Sequence, residues 1–286
     1  MATEVTAVYD IRRRYEEARS GGMRSEVAWV AWRSLKKLTR NPFLIFFSLF
    51  MPLVWLLMFS QTFGTMFSRG AMTRGVPLPY DFVAVMLPGV AIMTAIQSAS
   101  QSGFGMVADI DSGFMDKFFV APIRRTSVLL GKMLADGTRM AVQSSIVLFI
   151  AWVMTFVAGW RIPFATGFFG AVLIVLLATG FGIAFSGLSN MVALRSKSTE
   201  TTMMVSFTLT FPLQFLSTAL IPRDLLPPWV QIFSSLNPVS YLADAARSLI
   251  VTGYDWPVIG KACLAIVVFG VVLQGLALQA FNAQGK

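Results

Sequence analysis

The chain has 286 residues, 56% of them hydrophobic and 13% charged, with a mean hydropathy of +0.69. An ordinary soluble α/β or all-β domain carries about 25% charged residues, so this composition excludes one and implies a lipid solvent. Zero histidines remove the commonest proton shuttle and metal ligand, the single Cys263 excludes an internal disulfide or thiolate cluster, and the net charge of +9 must be located before it is assigned a partner.

Residues 1–23 mix charges in IRRRYEEARSGG and predict a tail that is helical only in part, with no apolar run before a small-residue cleavage site. Residues 24–40 are too polar to span a bilayer. At helical spacing Arg33, Lys36, Lys37 and Arg40 share one face, and Val27, Ala31, Leu35 and Leu38 lie opposite. This pattern predicts a helix in the cytoplasmic interface, with its apolar face in the acyl boundary and its basic face toward headgroups, aided by Trp29 and Trp32. A solvated linker helix is the plain alternative. Asn41-Pro42 then turns the chain.

A helix crosses the hydrocarbon core with about 20 apolar residues, because lipid cannot satisfy exposed backbone groups. Six stretches qualify: about 43–63, 82–108, 133–158, 164–190, 201–221 and 258–281. The second carries Pro88-Gly89, the third starts its apolar body near Met140 after Asp136 and Arg139, the fourth is glycine-rich and predicts close helix packing, and the fifth contains Pro212. With the N-terminus inside, the cytoplasmic flanks hold 17 of the 23 Lys and Arg, and the outside keeps Arg69, Arg74, Arg161, Arg223, Arg247 and Lys261. Membrane orientation and anionic headgroups therefore account for the charge, and no nucleic-acid partner is needed.

Two segments between spans carry pattern of their own. Residues 109–132 mix charges with Phe114, Met115, Phe118, Phe119 and Val120, which predicts a short amphipathic helix stopped before Pro122. Its apolar patch needs a cover, either the membrane surface or a groove on a partner protein. Residues 222–257 are outside yet largely apolar, and they predict two short helices broken at Pro227-Pro228 and at Asn237-Pro238 that dip into the outer leaflet. Asp244 and Arg247 stand at i, i+3 on the second of them and can pair.

These residues resemble a family, the membrane subunits of type-2 ATP-binding-cassette exporters in the daunorubicin-resistance, multidrug and lipid-export branch. The likeness rests on Leu87-Pro88-Gly89, on the run D-x-D-S-G-x-x-D-K-x-x-x-x-P-I-x-R from Asp109 to Arg125 followed by Gly131-Lys132, and on NPVSYLADAARSLI. It implies an all-α, six-span integral membrane bundle, with residues 1–41 as cytoplasmic tail and elbow helix and 42–286 as the membrane domain. Residues 109–132 would be the coupling segment that docks on a separate ATPase subunit, which binds Mg-ATP. Gly113, Phe114, Asp116, Phe118, Phe119, Pro122, Arg124, Arg125, Gly131 and Lys132 would shape or adjoin that contact. The segment before the last span would form re-entrant outer helices. Relatives commonly carry Glu where Asp116 stands and Ser or Thr where Ala121 stands.

The residues also limit the energy source. No G-x-x-x-x-G-K-[ST] loop occurs, since Met133 follows Gly131-Lys132 and Thr126 replaces the first glycine, so ATP must be hydrolysed on another chain. The span middles lack ionisable side chains, which disfavours a proton-driven carrier. The reading is an exporter half without a cofactor of its own, paired with a second permease, itself or a paralogue, and moving a hydrophobic or amphipathic drug, lipid or glycolipid. Its pathway would run along spans one, two and five with Gln61, Gln97, Ser98, Ser100, Gln101 and Gln214 as polar points, unless these serve interhelical hydrogen bonds. A non-catalytic scaffold and a lipid-modifying enzyme are the alternatives. The enzyme has only Asp109, Asp111 and Asp116 as an acidic cluster, and their spacing does not share one helix face.

Overall fold

The structure is a computed structural model that describes residues 22–39, 42–68, 80–113 and 125–283. Of the expected features, the tail 1–21, Arg40, and the coupling residues Phe114, Asp116, Phe118, Phe119, Pro122 and Arg124 lie outside the described residues.

The described residues are helical, with no strand among them. They form α1 (Gly22–Thr39), α2 (Pro42–Ser68), α3 (Phe82–Ser100), α4 (Ser102–Asp111), α5 (Arg125–Val157), α6 (Gly167–Ser196), α7 (Thr199–Phe215), a 3-10 turn at Arg223–Leu225, α8 (Pro228–Leu236), α9 (Pro238–Val251) and α10 (Trp256–Ala283). Among the described residues, four stretches are long and apolar enough to cross a membrane: Phe82–Asp111, Thr126–Val157, Gly167–Ser196 and Trp256–Ala283. The first and fifth expected spans correspond to the 27-residue α2 and to the 17-residue α7.

Helix α3 is the axis of the bundle. It is apolar on every face, as a helix surrounded by others must be, and 94% of its apolar window is buried, against 17% for that of α10. Helices α2, α5, α6, α7 and α9 all pack on α3, and α10 lies outside them along α6. Met86, Leu87, Ile92 and Ile96 of α3 meet Met140, Phe181, Leu242 and Leu249 in one core. The expected close packing of the glycine-rich helix is realised at Gly187, where a Cβ would stand 2.7 Å from the Leu273 backbone of α10.

Several boundaries differ from the sequence expectation, and the fourth span runs on to Ser196 past its expected end at 190. The second span runs helically through Pro88-Gly89 and is interrupted at Gln101. Helix α5 begins at Arg125, and its 33 residues reach about 50 Å at 1.5 Å per residue, longer than the hydrocarbon core. Its first turns, with Lys132 and Asp136, therefore extend the apolar body. The fifth span was expected to reach Ile221, but α7 stops at Phe215. There the Asn237 amide donates to the carbonyls of Leu213 (2.8 Å) and Leu216 (3.2 Å), groups that the end of a helix leaves without partners.

Helix α1 requires a correction of faces. Val30 and Ala31 are each only 4% exposed, packed against α5, where a Cβ on Gly131 would lie 2.6 Å from the Val30 Cβ. The apolar face therefore covers protein instead of the acyl boundary, because the glycine lets two backbones approach and bury it there. Trp29, Trp32 and Lys36 are left on the outward side.

Candidate functional site

A cavity of about 180 Å³ lies between α2, α3 and α7. The spacing of Met51 and Trp55 on α2, of Val90, Met93 and Gln97 on α3, and of Phe207, Thr210, Phe211 and Gln214 on α7 turns one stripe of each helix toward it. Trp55 meets Phe215 edge-on at 6.0 Å, and Phe211 stacks on Phe215 at 4.4 Å. No formally charged side chain lines this space, and its polar groups are two amides and a hydroxyl. Such a surface favours a largely apolar, ring-bearing molecule with a few hydrogen-bonding groups.

Of the polar points expected along a pathway, the structure brings Gln97 and Gln214 together here. Gln61 is exposed on α2 away from the cavity, Gln101 caps α3, and Ser98 is fully buried with its carbonyl accepting from Arg139 Nη2 at 2.6 Å. Ser100 stands one step behind the wall, its hydroxyl 2.8 Å from that of Thr210. Sequence reasoning missed Trp55, Met93, Thr210 and Phe211. Their three- and four-residue spacing was a usable signal, but lipid-facing stripes repeat in the same way.

Below the cavity, the interruption at Gln101 is held by side chains. Ser189 of α6 donates to the Ser100 carbonyl at 2.6 Å and accepts from the Gly103 amide at 3.1 Å, while Ser206 of α7 donates to Ser189 at 3.3 Å. Ser102 donates to Asp136, and Asp136 pairs with Arg139 at 3.4 Å. The polar backbone exposed by a helix break is thus satisfied from α5, α6 and α7, as an apolar surrounding demands.

On the opposite side, the loop after α7 is tied to α3 and α9. Helices α8 and α9 start at Pro228 and Pro238, each with proline in the first turn, where its missing N–H costs nothing. Pro227 precedes α8, and the Asn237 side chain caps α9 by accepting from Val239 N at 3.0 Å. Asp244 and Arg247 do pair, at 2.8 Å. Arg247 also donates from Nε to Val85 O at 3.1 Å and from Nη2 to Thr218 O, while Thr218 Oγ1 donates to Asp244 at 2.7 Å. Gly89 leaves the room this loop needs: a Cβ there would stand 1.7 Å from Ala219 O. A guanidinium that is buried needs all its partners, since a lost one leaves a desolvated group behind. Arg247→Met is therefore expected to cost about 3 kcal/mol and to lower the melting temperature in detergent, whereas a melting curve equal to wild type would contradict this role for the junction.

Of the expected coupling residues within the described chain, Gly113 follows α4 with φ +64, a left-handed conformation that suits glycine. Arg125 opens α5, Gly131 sits in the crossing with α1, and Lys132 is mostly buried, its Nζ 3.5 Å from where a Gly105 Cβ would stand. Of the elbow residues, Arg33 pairs with Asp109 of α4 at 3.4 Å, Lys36 is exposed, and Lys37 belongs to α1.

Residues 25–251 match the family described as ABC-2 type transporter. The daunorubicin resistance ABC transporter permease protein DrrB1 of Streptomyces coeruleorubidus is 26% identical over 218 residues, which cover 76% of this chain and 72% of that one. A protein of Cyanophora paradoxa named as a transport permease, ycf38, is 29% identical over 218 residues, 74% of this chain and 70% of its own. One of Mycobacterium tuberculosis named as a doxorubicin resistance ABC transporter permease, DrrC, is 26% identical over 168 residues, 59% of this chain and 58% of its own. The match runs from the α1 helix through the end of α9 and takes in the uncharged cavity and both polar junctions, so the chain belongs to the ABC-2 type transporter family.

Proposed function

We propose that this chain is the non-catalytic permease half of an exporter that moves hydrophobic or amphipathic molecules (drugs, lipids or glycolipids) out of the cytoplasm or inner leaflet. Its six spans are the four long apolar helical stretches together with α2 and α7, and both termini face the cytoplasm. A second permease, a copy or a paralogue, completes the route, and a separate ATPase subunit carrying Mg-ATP drives it through residues 109–132. The observation that carries the reading is the uncharged, aromatic cavity between α2, α3 and α7, which suits such a cargo and brings Gln97 and Gln214 to one place. The similarity to permeases named for daunorubicin and doxorubicin resistance supports drug-like cargo. Helices α8 and α9 act as the outer re-entrant pair.

The test is co-purification from native membrane in mild detergent. Wild type is expected to bring down a nucleotide-binding subunit with ATPase activity, and a Phe118→Asp/Phe119→Asp double variant is expected to retain its own melting profile and lose that subunit. Absence of any ATPase from the wild-type preparation would sink the exporter reading.

A further inference from the structure

We propose that the groove between α6, α7 and α10 is a binding site for one acyl chain of a bilayer phospholipid, separate from the cargo cavity. Helices α7 and α10 each pack along α6 and leave between them a space of about 430 Å³. Its floor is Phe181 and Phe185 of α6, which are 1% and 2% exposed, and its walls are Leu209 and Leu213 of α7 and Phe269 and Leu273 of α10. The end of α8 and the start of α9 close one end, where Asn237 is the one polar residue of the lining among the described residues. The Asn237 amide already donates to the Leu213 and Leu216 carbonyls and its oxygen accepts from Val239 N, so its donors are spent.

A space lined in this way stays dry, because water there finds no partners, and left empty it would deprive its walls of dispersion contacts. Its occupant is therefore apolar along its whole length. One wall is α10, whose apolar window is only 17% buried, and Val268 and Val271 on the outer side of that helix are 50% and 71% exposed, so the groove continues the face that α10 turns to hydrocarbon. A partner's membrane helix seats against small residues that admit its backbone, whereas both walls here are Leu and Phe. A cargo with hydrogen-bonding groups meets Gln97 and Gln214 in the other cavity and would bury those groups unpaired here. A methylene chain, flexible and without polar atoms, meets every one of these conditions. The groove also lies behind the cargo wall: Leu209 and Leu213 turn one stripe of α7 to it, while Phe207, Thr210, Phe211 and Gln214 turn another to the cavity. A bound chain thus braces that wall from the bilayer side, whatever the protein transports.

The test uses the full chain in phosphatidylcholine nanodiscs that contain a small fraction of phosphatidylcholine with a diazirine in mid-chain. After illumination, adducts are mapped by mass spectrometry of the digested protein. Labelling of Leu209, Leu213, Phe269 and Leu273 is expected to exceed that of Val268 and Val271 several-fold, because a chain held in the groove stays beside its walls while one on the open face of α10 exchanges freely. Leu273→Trp and Leu213→Trp fill the groove from opposite walls, and each is expected to abolish the excess while labelling of Val268 and Val271 stays as in wild type. Wild-type labelling of the groove no greater than that of Val268 and Val271 overturns the site and leaves the space to another occupant, such as a second copy of the chain. An undiminished excess in either filled variant that melts like wild type overturns it as well. No ATPase takes part in this assay, so a failure of the exporter reading shows only in co-purification and a failure of the acyl-chain site only here.

Discussion

Gly89→Ala is expected to be among the most destabilising single substitutions in the chain, about 3 kcal/mol or more, although it adds only one methyl group. The added Cβ would stand 1.7 Å from the carbonyl oxygen of Ala219 and 2.4 Å from its carbon. The obstructing atoms belong to backbone, so no rotamer change relieves the overlap, and the loop after α7 must move as a unit. That loop is fixed by Arg247, Asn237 and Ser240, so its displacement also breaks buried hydrogen bonds, including Thr218 N to Ser240 Oγ at 3.2 Å. A matched control is Gly260→Ala in α10, where nothing lies within 4 Å of the new atom and a small gain in helix propensity is expected. Thermal melts of both variants in the same detergent provide the measurement. Equal melting temperatures for Gly89→Ala and wild type would show that the α3 and loop backbones do not meet in this way.

The largest functional effect is expected from the cavity. Trp55→Ala and Phe211→Ala each remove a ring from its wall. Aromatic anchors in apolar pockets are worth about 1–3 kcal/mol to a bound molecule, so each variant should export an amphipathic dye about tenfold less well from cells carrying the complete transporter. Leu57→Ala is the comparison, because Leu57 is exposed on the same helix and does not line the cavity. If Leu57→Ala impaired export as much as the two wall variants while all three reached the membrane equally, the cavity would not be where cargo is held.

Local rules account for much of the architecture. The four long apolar stretches follow from hydropathy and length, since a bilayer imposes both on any helix that crosses it. The starts of α8 and α9 at Pro228 and Pro238 follow from the missing proline N–H, and the Asp244 to Arg247 pair follows from i, i+3 spacing on one helix. Each depends on neighbours only a few residues away.

The remaining features are set by partners distant in the chain. Arg247 takes a carbonyl 162 residues back, at Val85, and α7 ends at Phe215 because an asparagine 21 to 24 residues onward caps it. The face of α1 that packs inward is chosen by the absence of a side chain at Gly131, and Gln97 and Gln214 become one site only because α3 and α7 lie side by side. The sequence by itself determined that the chain is an α-helical membrane protein, where its apolar segments and breaks fall, and which family it resembles, because lipid acts on each segment separately through its length and polarity. Only the tertiary structure decided which polar residues meet and which carbonyls receive the half-buried Arg247, because hydropathy is nearly the same on lipid-facing and protein-facing sides of these helices, and close packing and hydrogen-bond geometry alone tell those sides apart.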